Sequence, residues 1–184
     1  MASRGSRQFS RLLLCGCALG PTCAIRLVTI ASLPDVPPAR ATAFLQTPAN
    51  WPKVVLSSQA VKGVDGVDVT APLPPGASVD EVFGAPPVLP LSVRWTCTEA
   101  VSGERLVFSS PDGLAGVATA CKMEFSVAPL ASSGGGCTVE LAMSYEPVSP
   151  IAALATPLLA ADNALALKVL LGRAMERVRR TDGT

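Results

Sequence analysis

Across 184 residues the chain contains no histidine. That absence removes the commonest general base, the commonest metal ligand and every Ser-His or Cys-His nucleophile system. Aromatic residues are scarce at 4%, with a single tyrosine, and charged residues make up only 16%. The formal net charge is only +1, but it is unevenly spread. Arg4, Arg7 and Arg11 supply three of the 15 basic residues before position 24 and no acid offsets them there, leaving a mildly acidic body. Such a body, with no Lys/Arg cluster before its last helix, lacks the footprint of nucleic-acid binding. Near the N-terminus the uncharged run Leu12–Ile25 is broken by glycines and a proline. It falls short of the ~20 residues that a membrane span requires.

Six cysteines are present, at 15, 17, 23, 97, 121 and 137. Cys15-Gly-Cys17 is too short for a zinc site, which wants four convergent ligands. The body holds an odd number, each in its own apolar stretch, so buried reduced thiols are expected and a disulfide framework is not. Two glycine clusters occur, Gly113-Leu114-Ala115-Gly116 and Gly134-Gly135-Gly136. Neither lies between a strand and a helix, as a phosphate loop requires, so both read as hairpin turns. No metal and no cofactor is expected.

What is present is apolar: hydrophobic residues reach 49%, which argues for one packed domain rather than disorder. The first 23 residues carry Ser3, Ser6 and Ser10 among the arginines, followed by Leu12 to Gly20. This pattern is that of an organellar transit peptide, chloroplast or mitochondrial, with a secretory signal as the alternative. Ala41-Thr42-Ala43-Phe44 has the form of a plastid cleavage site but fits better inside a helix of the body. The expected organisation is a leader over 1–23, a single domain over 24–180 and a tail over 181–184.

Ala24–Ala31 is rich in β-branched residues and predicts a first strand. Asp35 is a plausible N-cap for a short helix from Pro38 to Gln46, with the prolines suited to its first turn. Thr47 to Pro52 reads as a turn and Val54-Val55 as the start of a second strand. Residues 63–90 are crowded with prolines, which disfavour central strands and suit edges or a loop. From Leu91 onward alternation is strict. Val93, Trp95 and Cys97 share a face, as do Leu106 and Phe108, then Cys121, Met123, Phe125 and Val127, then Val139, Leu141, Met143 and Tyr145. Four such strands form a meander with one buried and one solvated face.

The terminal segment, from about Ile151 to Arg180, is helical. Ser149-Pro150 looks like its cap, Pro157 is expected to break or kink it, and Asp162 or Asn163 to cap its main part. Ala164, Leu167, Leu171, Ala174, Met175 and Val178 form its apolar stripe, widened by Leu165, Val169 and Leu170, so more than one side should be covered. Arg173, Arg177, Arg179 and Arg180 suit the negative end of the helix dipole and offer transient contact with an anionic membrane surface.

The order strand, short helix, turn, meander, long terminal helix resembles the START-like superfamily, which includes polyketide cyclases/dehydrases, lipid-transfer domains and coenzyme-Q-binding proteins. The resemblance is carried by Ala24–Val55, with Pro37-Pro38-Ala39 and Asn50-Trp51-Pro52, and by Tyr145-Glu146-Pro147 entering the last helix. It implies an α+β helix-grip fold, a curved antiparallel sheet wrapped around a long C-terminal helix with a hydrophobic cavity between them. Trp95, Phe108, Met123, Phe125 and Leu141 are then candidate cavity-lining residues from the sheet, with Met143 and Tyr145. Leu167 and Leu171 are their counterparts on the helix. The tips of Trp95 and Tyr145 are suited to orienting a ligand oxygen. Asp80-Glu81 is a pair by adjacency alone, since neighbours in a strand point to opposite faces.

The function expected is non-catalytic binding or transfer of a small hydrophobic ligand: a lipid, quinone, isoprenoid or pigment-like molecule. The alternative is a polyketide cyclase or dehydratase acting on an aromatic or polyketide substrate. It would need a placed acid or base, and the readable strands offer no convergent polar set.

Overall fold

The computed structural model describes residues 24–84, 91–131 and 134–181. The leader, the Pro86-Pro87 pair and the end of the tail lie outside the described residues. Seven strands form one antiparallel sheet: β1 Ile25–Leu33, β2 Ser58–Gly63, β3 Ser78–Phe83, β4 Leu91–Val101, β5 Arg105–Ser110, β6 Ala118–Pro129 and β7 Cys137–Pro147. Their order is β1-β7-β6-β5-β4-β3-β2, so the last strand closes back on the first.

Helix α1 spans Pro38–Gln46, as expected, with a proline in its first turn. Asp35 is not its cap. Pro37 occupies that position and no side chain bonds the free N–H groups, one of which is absent because Pro38 stands at the first helical position. The turn after it is a short 3-10 helix, Pro48–Lys53, and Val54-Val55 complete it rather than opening a strand. Trp51 is fixed there because its Nε1 donates to the Leu45 carbonyl at 2.8 Å and its ring meets Phe108 edge-on.

The proline-rich stretch holds a strand after all. β3 lies between β2 and β4, inside the sheet, because its prolines fall before Ser78 and after Phe83 and spare the ladder. The alternation read from β4, β6 and β7 holds for Val93, Trp95, Cys97, Met123, Phe125, Val127, Val139, Leu141 and Tyr145, which are buried. Cys121 and Met143, by contrast, are only partly buried, and Ala142, on the other row, is buried. In β5, Val107 is buried too, although the alternation places it on the solvated face. Cys97, Cys121 and Cys137 are free thiols, and burial pushes the pKa of each upward. Gly113 turns the β5–β6 hairpin at φ 61, where an added Cβ would lie 2.3 Å from the Ala118 carbonyl oxygen.

The terminal helix comprises α2 Pro150–Leu165, a π-helical turn Ala166–Leu171 and α3 Gly172–Thr181. It is a single rod. Pro157 does not interrupt it, because the carbonyl deprived of a partner is that of Ala153, which faces solvent. Neither Asp162 nor Asn163 caps a new helix. Ser149 stands at the N-cap, but its hydroxyl makes no cap bond. Ala166, Leu167, Leu171, Ala174 and Met175 are buried in the same cluster as the sheet's inner face. The arrangement is a helix grip, with the core between sheet and rod.

Candidate functional site

Val79, Glu81 and Phe83 alternate with Ser78, Asp80 and Val82 along β3. Parity therefore sends Glu81 to the face that carries Val93 and Trp95, and Asp80 to the other. On the outer face the Arg94 guanidinium grips Asp80 through two bonds of 2.8 and 2.9 Å and holds its carboxyl below the usual range. On the inner face Glu81 is 2% exposed. Trp95 Nε1 donates to Glu81 Oε2 at 2.9 Å.

A carboxyl so buried resists ionisation. Burial is the main reason its pKa is pushed up to about 7, with the negative charge of Asp162 adding to the rise and the Trp95 bond opposing it. The Ser58 hydroxyl lies beside the carboxyl and also opposes the rise, yet Ser58 Oγ is buried without a partner at hydrogen-bond geometry among the described residues. The contact is a loose one, close enough to favour the carboxylate but short of a formed hydrogen bond. The local chain explains why Ser58 turns inward: β2 carries a bulge between Ser58 and Ala60, which resets its parity.

The terminal helix closes over this corner. Asp162 Oδ1 accepts from the Leu56 N–H at 3.2 Å, and Asp162 Oδ2 from Ser57 Oγ at 2.5 Å. One acidic side chain thus ties α2 to the residues that lead into β2. Next to it Asn163 is buried, with Nδ2 donating weakly to Met143 Sδ at 3.9 Å. The π-helical turn begins three residues further on. Such turns are frequent at functional sites.

The candidate lining residues fall into two groups. Trp95, Phe108, Met123, Phe125, Leu141, Leu167 and Leu171 are buried together in the main core, with Met143 packed against its edge. Tyr145 belongs to a separate cluster with Leu27, Ala118 and Ala152. Its phenol lies 2.7 Å from Thr156 Oγ1. Because Thr156 uses its own proton on the Ala152 carbonyl, Tyr145 is the donor and its tip is occupied. A groove of about 240 Å³ lies at the other end of the helix, between Leu33–Val36 and Met175, and borders none of these residues.

Sequence reasoning weighed Glu81 only as half of the Asp80-Glu81 pair and Asp162 only as a helix cap, and it passed over Ser58. The signal for Glu81 was present in the Val79-x-Glu81-x-Phe83 parity. It was unreadable while β3 itself was in doubt.

No family model matches this chain, and no curated protein matches its sequence. Solved structures do. The chain superposes on a norcoclaurine synthase point mutant from Thalictrum flavum, in complex with a transition-state analogue, with a TM-score of 0.62, 11% identity, and 87% of this chain and 99% of that one covered. A START superfamily protein from Mycobacterium smegmatis gives 0.61, 11%, 83% and 98%. The di-domain aromatase/cyclase StfQ of the steffimycin biosynthetic pathway gives 0.64 and 13% over 86% of this chain, which spans about half (52%) of that protein. At these identities the likeness shows the fold, which is START-like.

Proposed function

We propose that this START-like fold binds a small hydrophobic ligand, a lipid, quinone, isoprenoid or pigment-like molecule, between the sheet and the terminal helix, and exchanges it by movement of α2. The observation that carries this reading is how lightly α2 is seated. Of its sixteen residues only Ala152 and Asn163 are buried, and Asp162 latches it by two polar bonds. A roof held by a latch opens at less expense than one held by packing. The beginning of α2 also presents Ile151, Leu154 and Leu158 to solvent, the last two 78% and 76% exposed, which suits brief contact with the membrane or carrier from which an apolar ligand is taken. By length and composition alone Pro150–Val178 is apolar enough to cross a membrane. Its α3 half, however, is buried against the core through Ala174 and Met175.

Glu81 favours a second reading, a cyclase or dehydratase. A carboxyl poised near pH 7 inside an apolar site has the character of a general acid or base. Native mass spectrometry of the full chain, followed by organic extraction, separates these. A reproducible co-purified hydrophobic molecule is the expected result. A clean apo mass with no uptake from a mixed-lipid extract would overturn the carrier reading and move the weight to the enzyme.

A further inference from the structure

A purely apolar interior has no use for a carboxyl, and burying one without a cation is unfavourable. Glu81 nevertheless sits in the core with an indole N–H for a donor, and no Lys or Arg offsets its charge among the described residues. Beside it Ser58, only 6% exposed, points an unpartnered hydroxyl into the same corner. Buried hydroxyls are nearly always bonded, so an orphan next to a carboxyl marks a place where a further oxygen is wanted. The sheet does not supply one. Across the strands from Glu81 stand Val61 on β2 and Val93 on β4, neither with a polar side-chain atom. From the helix the charged group that faces it is Asp162, already engaged with Leu56 and Ser57, while Asp80 and Arg94 occupy the opposite face.

We propose that Glu81 and Ser58 form the polar pole of the ligand site and hold a carbonyl oxygen on an otherwise apolar molecule. This rests on the ligand-binding reading above and narrows its ligand to one bearing a ketone, quinone or ester. The donor inventory dictates the geometry. Glu81 Oε2 is engaged as an acceptor by Trp95, so the proton of the neutral acid belongs on Oε1, from which it can be donated. The Ser58 hydroxyl supplies a second donor. A carbonyl oxygen has two lone pairs and satisfies both, whereas a hydrocarbon leaves both unmet. Ionised Glu81 has no proton to give and repels the same oxygen.

The test uses two near-isosteric probes that differ by one oxygen, 2-acetylnaphthalene and 2-ethylnaphthalene. Each is titrated into the full chain at pH 6 and pH 8.5, with the Trp95 indole N–H resonance as reporter. The ketone is expected to bind about tenfold more tightly than the hydrocarbon at pH 6, roughly the value of one or two made hydrogen bonds. That preference should shrink toward parity at pH 8.5, and Glu81→Leu and Ser58→Ala should each reduce it at pH 6. Hydrocarbon affinity should stay the same at both pH values. Glu81→Gln keeps a donor, so its ketone preference should persist and lose its pH dependence. Should Glu81→Leu fail to fold, a pH dependence surviving in Glu81→Gln would overturn the proposal. A ketone preference equal in wild type and Glu81→Leu would overturn it as well, leaving the binding reading intact. Binding of neither probe would overturn the binding reading, and the proposal with it.

Discussion

Trp95 and Glu81 stand diagonally across β3 and β4, and a 2.9 Å bond from the indole N–H to Oε2 is the carboxyl's anchor inside the core. The bond favours the charged form while burial opposes it, and burial prevails. The acid is therefore held at the edge of ionisation under neutral conditions.

The stability of the protein should record this. Glu81 binds its proton more tightly in the folded state, where its pKa is about 7, than in the unfolded chain near the usual 4.5. Its stabilising share is full below the unfolded value and is lost as pH rises through about 7. Urea unfolding of wild type and Glu81→Gln across pH 4.5 to 8 checks this. The wild type should lose about 3 kcal/mol relative to the variant over that window, and parallel curves would contradict it.

Trp95→Phe removes the donor and keeps most of the ring. The Glu81 pKa should then move above its wild-type value, because the interaction lost had favoured the carboxylate. Carbon-13 NMR of the side-chain carboxyl measures the shift directly, and a downward movement would contradict the assigned bond.

Asp162→Ala releases the Leu56 N–H and the Ser57 hydroxyl and removes the charge that raises the Glu81 pKa. Three effects are expected together: a loss of about 1–2 kcal/mol in stability, faster amide exchange through α2, and a lower Glu81 pKa. A variant with unchanged exchange in α2 would show that the latch does not hold the helix.

Leu171→Ala tests the seating of the rod at the end of its π-helical turn. Leu171 is almost fully buried, so the loss should be about 2–5 kcal/mol by urea unfolding. Leu154→Ala, at a solvated position of the same rod, should change stability by less than about 0.5 kcal/mol.

The arginine- and serine-rich start carries a prediction of its own. Residues 1–23 fused to a fluorescent protein should direct it to a chloroplast or mitochondrion. Secretion of the fusion would favour the signal-peptide alternative.

Much of the fold was legible because it depends on neighbours in sequence. Helix α1 could be read from the prolines suited to its first turn, and the strands from Leu91 onward from parity alone. Local signals misled where a distant partner decided the outcome. Asp162 has the form of a helix cap, but its donors come from residues 105 and 106 positions away. Pro157 looks like a break, yet the carbonyl it leaves unpaired is turned to solvent. Prolines around β3 hid a strand whose ladder they never enter. With that strand hidden, the acid it carries could not be placed, and the convergent polar set was missed.

The two partnerships of β3 with β4 have a consequence for assembly. Asp80 meets Arg94 on one face and Glu81 meets Trp95 on the other, so the strand is keyed on both sides at once. A slip of one residue would turn Glu81 into water and Asp80 into the core, separating each acid from its partner. In a strand flanked by prolines and short of other sequence landmarks, the two acids act as an error check on alignment during folding. The chemistry of the buried corner and the fidelity of the sheet are thus written in the same two adjacent residues.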